Sequence, residues 1–182
     1  MTATWLLLFT ITQAAAPSAT APPDWASVIR LAHSYSATPN CENATALVER
    51  LPDFELEVAH RPDYRTVEAL YRLMPLLESR MFYGDSCAAH VAFRLTWTAD
   101  AAFSEDLGAA LGSLATNRPN LFLTELASAG VPCDRALGFN TDFTAQEFTD
   151  ERQLRIKRLR EFSKPDLDAL RIECLTILER ES

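Results

Sequence analysis

Apolar residues recur at helical spacing along most of the chain. After Asp24, which can cap a helix, the first stripe contains Trp25, Val28, Ile29, Ala32 and Tyr35, and a second comprises Ala44, Leu47, Val48 and Leu51. A third runs through Val67, Leu70, Met74, Leu77 and Met81. Such a period, with apolar positions three and four residues apart, predicts amphipathic helices that each bury one face.

Two segments have patterns that admit a strand. Residues 54–59 alternate apolar and acidic side chains, which is typical of a half-buried strand but also of an extended connector. Residues 91–97 fit either a helix or a strand, and the helix agrees better with the capping residues Asp85 and Ser86 before them. Of these two, we expect Ser86 to be a helix N-cap and not a nucleophile. A short strand pair between the two segments therefore remains an alternative at this stage.

Breaks between the stripes divide the chain into helices. Pro75 should kink or divide the third helix, and Gly84 should end it. A helical stripe from Phe103 leads to a break at 117–119, and the next helix stops at Gly130, which predicts an αα-hairpin.

The C-terminal part has two further helix starts. Thr144-x-x-Glu147 and Ser163-x-x-Asp166 each have the spacing of a capping box before a helical segment.

The fold class predicted by these patterns is all-α, with about eight helices. Helix pairs begin near residues 24, 64, 103 and 145, and a spacing of about 40 residues is the period of HEAT-like repeats. Stacked αα-hairpins and an irregular helical bundle both satisfy this spacing. The one short strand pair is the only departure from helix that the pattern allows.

The N-terminus has the composition of a secretory signal peptide. Residues 5–11 form an apolar run too short to span a bilayer, and small residues follow at 14–21. We therefore expect a signal peptide over residues 1–21, cut between about 14 and 21, and a single helical domain over 22–182. This predicts a secreted or periplasmic protein with no membrane span after cleavage.

The net charge of the chain limits the classes of partner that it can bind. The 182-residue chain has 25 acidic and 17 basic residues and a net charge of −8, so most of its surface should repel nucleic acid. The one basic cluster is interleaved with acidic and apolar residues, which indicates the solvated face of a helix. It comprises Arg152, Arg155, Lys157, Arg158 and Arg160.

The four cysteines, Cys41, Cys87, Cys133 and Cys174, lie in the predicted exported part. An even number in an oxidising compartment indicates two disulfides, and counting alone leaves three pairings open. In a stack of helix pairs Cys41 and Cys87 would both begin the second helix of adjacent units. We therefore expect Cys41–Cys87 and Cys133–Cys174.

Candidate catalytic residues lie around position 86. Gly84-Asp85-Ser86 matches the nucleophile block of G-D-S lipases and esterases, but no histidine follows His90 to complete their site. Cys87-x-x-His90 has the spacing of half a metal site, and the other half is missing. Alternating carboxylates near Glu55 are better explained by solvation than by glycoside hydrolysis.

A short region resembles a group of bacterial proteins. Tyr83-Gly84-Asp85-Ser86, residues 92–95 and residues 102–107 are similar to segments of secreted bacterial α-helical proteins with HEAT-like helix pairs. The resemblance covers about 25 residues and implies no activity.

Two function classes follow from these observations. Because no nucleotide-binding, zinc-protease or EF-hand motif is present, we expect no cofactor and favour a protein-interaction or scaffold module whose partner is another protein. The alternative is a small exported hydrolase that uses Ser86 or Cys87 with a nearby His, such as His60 or His90.

Overall fold

The computed structural model describes residues 23–180, and helices dominate this part of the chain. Its α-helices are α1 (Trp25–Ala37), α2 (Cys41–Val48), α3 (Tyr64–Tyr71), α4 (Met74–Phe82), α5 (Ser86–Leu95), α6 (Ala101–Asn117), α7 (Pro119–Ala129), α8 (Cys133–Ala136), α9 (Ala145–Glu161) and α10 (Asp168–Arg180). Short 3-10 helices occupy Val58–His60 and Pro165–Leu167. The all-α prediction is confirmed. The predicted signal peptide lies outside the described residues.

The alternative strand pair is wrong. Residues 91–95 belong to α5, where Val91, Phe93 and Leu95 are all fully buried. A helix enclosed on most sides has no clear polar face, and this explains why its sequence also fitted a strand. Residues 54–57 form an irregular connector between α2 and the first 3-10 helix, and no strand occurs within residues 23–180.

Local capping residues define most helix starts. Asp24, Asn40, Asp63 and Asp100 each accept a hydrogen bond from the amide three residues further on. Thr144 and Glu147 form the predicted capping box at the start of α9.

Two of the predicted caps are different in the structure. Asp85, not Ser86, caps α5, because its carboxylate accepts from the amides of Cys87 and Ala88. Ser163 makes no capping box with Asp166; the chain there turns through a 3-10 helix whose first residue is Pro165.

Glycine and proline end the helices as expected. Gly84 has φ 88° and follows α4, where its amide bonds to Met81 O and the amide of Asp85 bonds to Arg80 O. This pair of bonds is the Schellman motif, and the left-handed conformation suits glycine. Pro75 lies in the first turn of α4, so that α3 and α4 are separate helices.

Nine of the ten α-helices within residues 23–180 lie in two layers, five in the first and four in the second. The first layer places α1 against α3, α4 against α6, and α6 against α9. The second places α2 against α5, α5 against α7, and α7 against α10. The short helix α8 packs against α6 and α10.

Glycines allow the segment after α8 to approach α6 closely. A Cβ atom added to Gly138 would lie 2.7 Å from the backbone carbon of Gly108, and one added to Gly112 would collide with Arg155 and the Gly138 carbonyl. Contacts this short exclude a side chain at these positions unless the backbone moves. The glycines therefore fix residues 138–143 beside α6, where they form a wall of the groove described below.

No helix within residues 23–180 combines the length and apolar character that a bilayer span requires.

Candidate binding groove

The four cysteines lie in the two expected pairs. The Cα atoms of Cys41 and Cys87 are 5.3 Å apart, and those of Cys133 and Cys174 are also 5.3 Å apart. Both separations fall within the range of disulfides. The first pair connects the N-termini of α2 and α5, and the second connects α8 to α10.

The only potential metal-ligand cluster in the described part of the chain involves the first pair. The sulfur atoms of Cys41 and Cys87 and a carboxylate oxygen of Asp85 lie within 4.8 Å of one another. Sulfur atoms joined in a disulfide are not thiolate ligands, and Asp85 already receives the Arg80 guanidinium and the amides of α5. This cluster is therefore explained by the fold.

The residues of the hydrolase alternative lie together in a small pocket of about 200 Å³. Ser86, Cys87 and His90 line it with Glu125 of α7, whose carboxylate lies 2.8 Å from His90 Nδ1. A histidine held in this way resembles the base of a nucleophile–base pair. His60 lies apart in the connector after α2, where its carbonyl accepts from the Trp25 indole.

The pocket lacks two parts of such a mechanism. No hydrogen bond joins Ser86 to His90 within the described residues, and Cys87 lies at disulfide distance from Cys41. The first amides of α5, which would stabilise an oxyanion, already donate to Asp85. The geometry therefore gives the hydrolase alternative little support.

A larger groove lies between α4, α6, α9 and the 138–143 segment. Its volume is about 610 Å³. The lining residues are Glu78, Met81 and Phe82 of α4; Glu105, Asp106, Ala109, Ala110, Ser113, Leu114 and Asn117 of α6; Asn140, Thr141, Asp142 and Phe143; and Glu151 and Arg155 of α9. We call this surface the acidic groove.

Carboxylates dominate the charge of the acidic groove. Five acidic residues and one basic residue line it, which leaves four negative charges in excess. Arg155 is already paired with Glu151, at 3.0 Å between Nε and Oε1. The salt bridges described within residues 23–180 involve none of the other four carboxylates, Glu78, Glu105, Asp106 and Asp142, whose side chains are exposed. The groove therefore presents negative charge that the protein itself does not neutralise.

The floor of the groove depends on a buried arginine. Arg155 is 1% exposed, and its guanidinium donates to Glu151 and to the carbonyls of Leu137 and Gly138 while it packs 4.0 Å from the centroid of the Phe139 ring. Burial lowers the pKa of Arg155, and the Glu151 carboxylate acts in the opposite direction. The prediction that the whole basic cluster is a solvated helix face is wrong for Arg155, because α9 turns this residue into the core.

One pair of carboxylates in the groove interacts electrostatically. Partial desolvation, together with the charge of Asp106, raises the pKa of Glu78, although its side chain remains exposed. The Tyr71 hydroxyl donates to Asp106 Oδ2 at 2.5 Å, and this bond raises the pKa of Tyr71. Asp106 thus has a neutral donor on one side and a second carboxylate near it.

Aromatic side chains are exposed at the α4 end of the groove. Phe82 is 63% exposed and meets Tyr83, itself 78% exposed, edge to face at 5.4 Å between ring centroids. Arg118 donates to the Phe82 carbonyl and lies beside Gly84, which fixes the backbone under this aromatic pair. Large exposed rings beside a groove are typical of contact surfaces.

The groove residues could not be recognised from the sequence, because they come together only in the folded structure. Glu78, Glu105 and Asp106 read individually as solvated positions on polar helix faces, and their convergence depends on how α4 packs on α6. The carboxylates that the sequence did single out have other roles: Glu55 pairs with Arg61 and Arg135 at 3.6 and 3.2 Å.

The chain matches no protein-family model, and comparison with curated proteins and with solved structures finds no significant similarity. The function is therefore argued from the geometry of the groove.

Proposed function

We propose that the chain is an exported binding module whose acidic groove holds a positively charged, partly apolar segment of another protein. The observation that carries the proposal is the set of four carboxylates without basic partners around a cleft of about 610 Å³. Carboxylates kept close together repel one another, and a cationic ligand relieves this repulsion.

The shape of the groove is better suited to the side chains of a bound protein segment than to a metal ion. Outside the cysteine pair, no three ligand-bearing groups of the described residues come within 4.8 Å of one another, so the groove carboxylates do not converge on a point. Spread charges suit an extended ligand with several cationic groups. The apolar surface of Met81, Phe82, Leu114 and Phe143 between them suits the methylene stems of Lys and Arg.

The negative charge of the groove also argues against nucleic acid and anionic lipid as its ligand. A groove with an excess of negative charge, in a protein of net charge −8, repels the phosphates of nucleic acid and of anionic lipid. A basic protein segment remains the partner whose charge and apolar surface both complement the groove. Export through the N-terminal segment, and oxidation of both cysteine pairs in the compartment reached, are parts of the same proposal.

Peptide binding tests this proposal. A fluorescein-labelled peptide of alternating Arg and Leu should bind the purified protein, as measured by fluorescence anisotropy, while a peptide of alternating Glu and Leu should not. Affinity should decrease as salt is added, because exposed charges are screened. The Glu105→Gln/Asp142→Asn double variant should bind about tenfold more weakly, since each lost contact is worth roughly 0.7 kcal/mol.

A matched control separates groove binding from general attraction to an acidic protein. Glu49→Gln/Glu57→Gln removes the same number of charges from exposed positions that do not line the groove. This control should change the dissociation constant by less than about twofold. Equal weakening by the two double variants, or no binding of the basic peptide, would contradict the proposal.

A further inference from the structure

The two cysteine pairs differ in their access to solvent. Cys133 and Cys174 are fully buried and belong to the hydrophobic core. Cys41, the first residue of α2, is exposed, and Cys87, near the N-terminus of α5, is half-buried. A small reagent in solution can therefore approach Cys41 while the fold is intact, whereas it reaches the second pair only when the structure opens locally.

A pocket lies beside the half-buried member of the first pair. Cys87 lines the pocket of about 200 Å³ between α2 and α5, together with Thr45, Ser86 and His90. Space of this size holds several water molecules, at roughly 30 Å³ each. A thiolate released from Cys87 can therefore be hydrated and need not enter the core.

The charges nearest the pair are compensated within the protein. A carboxylate oxygen of Asp85 lies within 4.8 Å of both sulfur atoms, and this carboxylate is paired with the Arg80 guanidinium. The other carboxylate of the pocket, Glu125, contacts His90 Nδ1 at 2.8 Å. The N-terminal end of α5 has a partial positive charge, which favours a thiolate at Cys87.

We propose that Cys41–Cys87 is a thiol-exchange site, at which a low-molecular-weight thiol becomes attached to Cys41 and the thiol of Cys87 is released into the small pocket. Because Cys87 is half-buried, the attack comes from the exposed Cys41 side of the bond. The proposal requires that this pair is oxidised, but it is independent of peptide binding, since neither cysteine lines the acidic groove.

The exchange replaces one disulfide by another. The external thiol loses its proton to solvent, and its thiolate attacks Sγ of Cys41. A new S–S bond forms there, the bond between Cys41 and Cys87 breaks, and Cys87 leaves with the electron pair as a thiolate that takes a proton from solvent. A second molecule of the thiol can then attack the mixed disulfide, which leaves both cysteines reduced and the two external thiols joined in a disulfide.

Reduction of the wild-type protein compares the two pairs within one molecule. The oxidised protein is treated with dithiothreitol under native conditions, free thiols are trapped at intervals with N-ethylmaleimide, and the labelled peptides are quantified by mass spectrometry. Cys41 and Cys87 should be labelled at least about tenfold faster than Cys133 and Cys174, because the buried pair reacts only after a local opening.

Three results of the reduction experiment would overturn the proposal. They are labelling of the buried pair as fast as that of Cys41 and Cys87, no labelling of Cys41 and Cys87 until the protein unfolds, and an oxidised protein in which these two residues are not joined. Since the comparison needs no substitution, it does not depend on the folding of a variant.

Two matched variants test which sulfur receives the external thiol. Cys87→Ser leaves Cys41 as a free thiol and Cys41→Ser leaves Cys87, and both variants lose the same disulfide. With oxidised glutathione as the probe, Cys41 should form the mixed disulfide at least about threefold faster than Cys87, because it is the more exposed residue. Circular dichroism checks that both variants retain their helices. An equal or faster reaction at Cys87 would overturn the assignment of the attachment site to Cys41.

Discussion

Replacement of Arg155 by methionine should be among the most destabilising single changes in α9. The wild-type guanidinium, 1% exposed, donates to the Glu151 carboxylate and to the carbonyls of Leu137 and Gly138. Methionine keeps much of the apolar stem but leaves these acceptors without their donor. Breaking a buried ion pair from one side costs about 3–5 kcal/mol.

The lower part of that range applies here. Glu151 is 21% exposed and also accepts a hydrogen bond from the Thr116 hydroxyl at 2.6 Å, so its charge keeps some stabilisation after the substitution. We therefore expect a loss of about 3 kcal/mol, a large fraction of the roughly 5–15 kcal/mol that stabilises a domain.

Urea unfolding followed by circular dichroism at pH 7 measures this loss. The control is Arg158→Met, the same substitution about one turn later in α9, where the side chain is 52% exposed and its guanidinium lies 3.6 Å from the Glu161 carboxylate. An exposed pair of this kind contributes about 0.2–1 kcal/mol. Similar losses of stability for Arg155→Met and Arg158→Met would refute the argument that the pair of Arg155 with Glu151 stabilises the fold more strongly because it is buried.

A double substitution separates charge from packing. Glu151→Gln in the Arg155→Met background removes the carboxylate that lost its partner, so stability should recover in part. Because the glutamine oxygen can still accept from Thr116, a further loss of stability in the double variant would contradict the argument that the unpaired charge of Glu151 is the main cost.

Two further predictions concern the N-terminus of α5 and the cysteines. Asp85→Ala should lower the free energy of unfolding in urea by about 1–2 kcal/mol, because Asp85 caps two amides of α5. Ser86→Ala should change it by no more than about 0.5 kcal/mol. A larger loss for Ser86→Ala would contradict this assignment. Peptide mapping without reduction should return the two cysteine pairs of the structure, each worth about 4 kcal/mol in the loop-entropy model. Recovery of a peptide linking Cys87 to Cys133 would contradict the pairing.

Helix boundaries could be predicted because their signals are local. The Thr144–Glu147 capping box, the division at Pro75 and the stop at Gly130 each depend on a few residues adjacent in sequence, and all three appear in the structure. The choice between Asp85 and Ser86 failed, since both residue types cap helices and only the side-chain geometry distinguishes them.

The arginine and the groove could not be predicted because they depend on contacts between distant segments. The sequence places Arg155 among charged neighbours, and only the close approach of Gly112 and Gly138 provides the enclosed space and the carbonyl that its guanidinium requires. Glu78 and Asp106 are 28 residues apart in the sequence, and both line the groove because α4 packs on α6.

The same arginine connects the stability of the fold to the shape of the groove. Its bonds to the carbonyls of Leu137 and Gly138 hold the start of the 138–143 segment against α6, and the end of that segment carries Asp142 into the groove. Its charge is directed to Glu151, so Arg155 does not neutralise the other carboxylates of the groove. Glu78, Glu105, Asp106 and Asp142 are exposed, and an ion pair between exposed side chains contributes only about 0.2–1 kcal/mol, so the fold loses little by leaving them unpaired. Under the proposed function, these exposed carboxylates are the groups that a cationic ligand would contact.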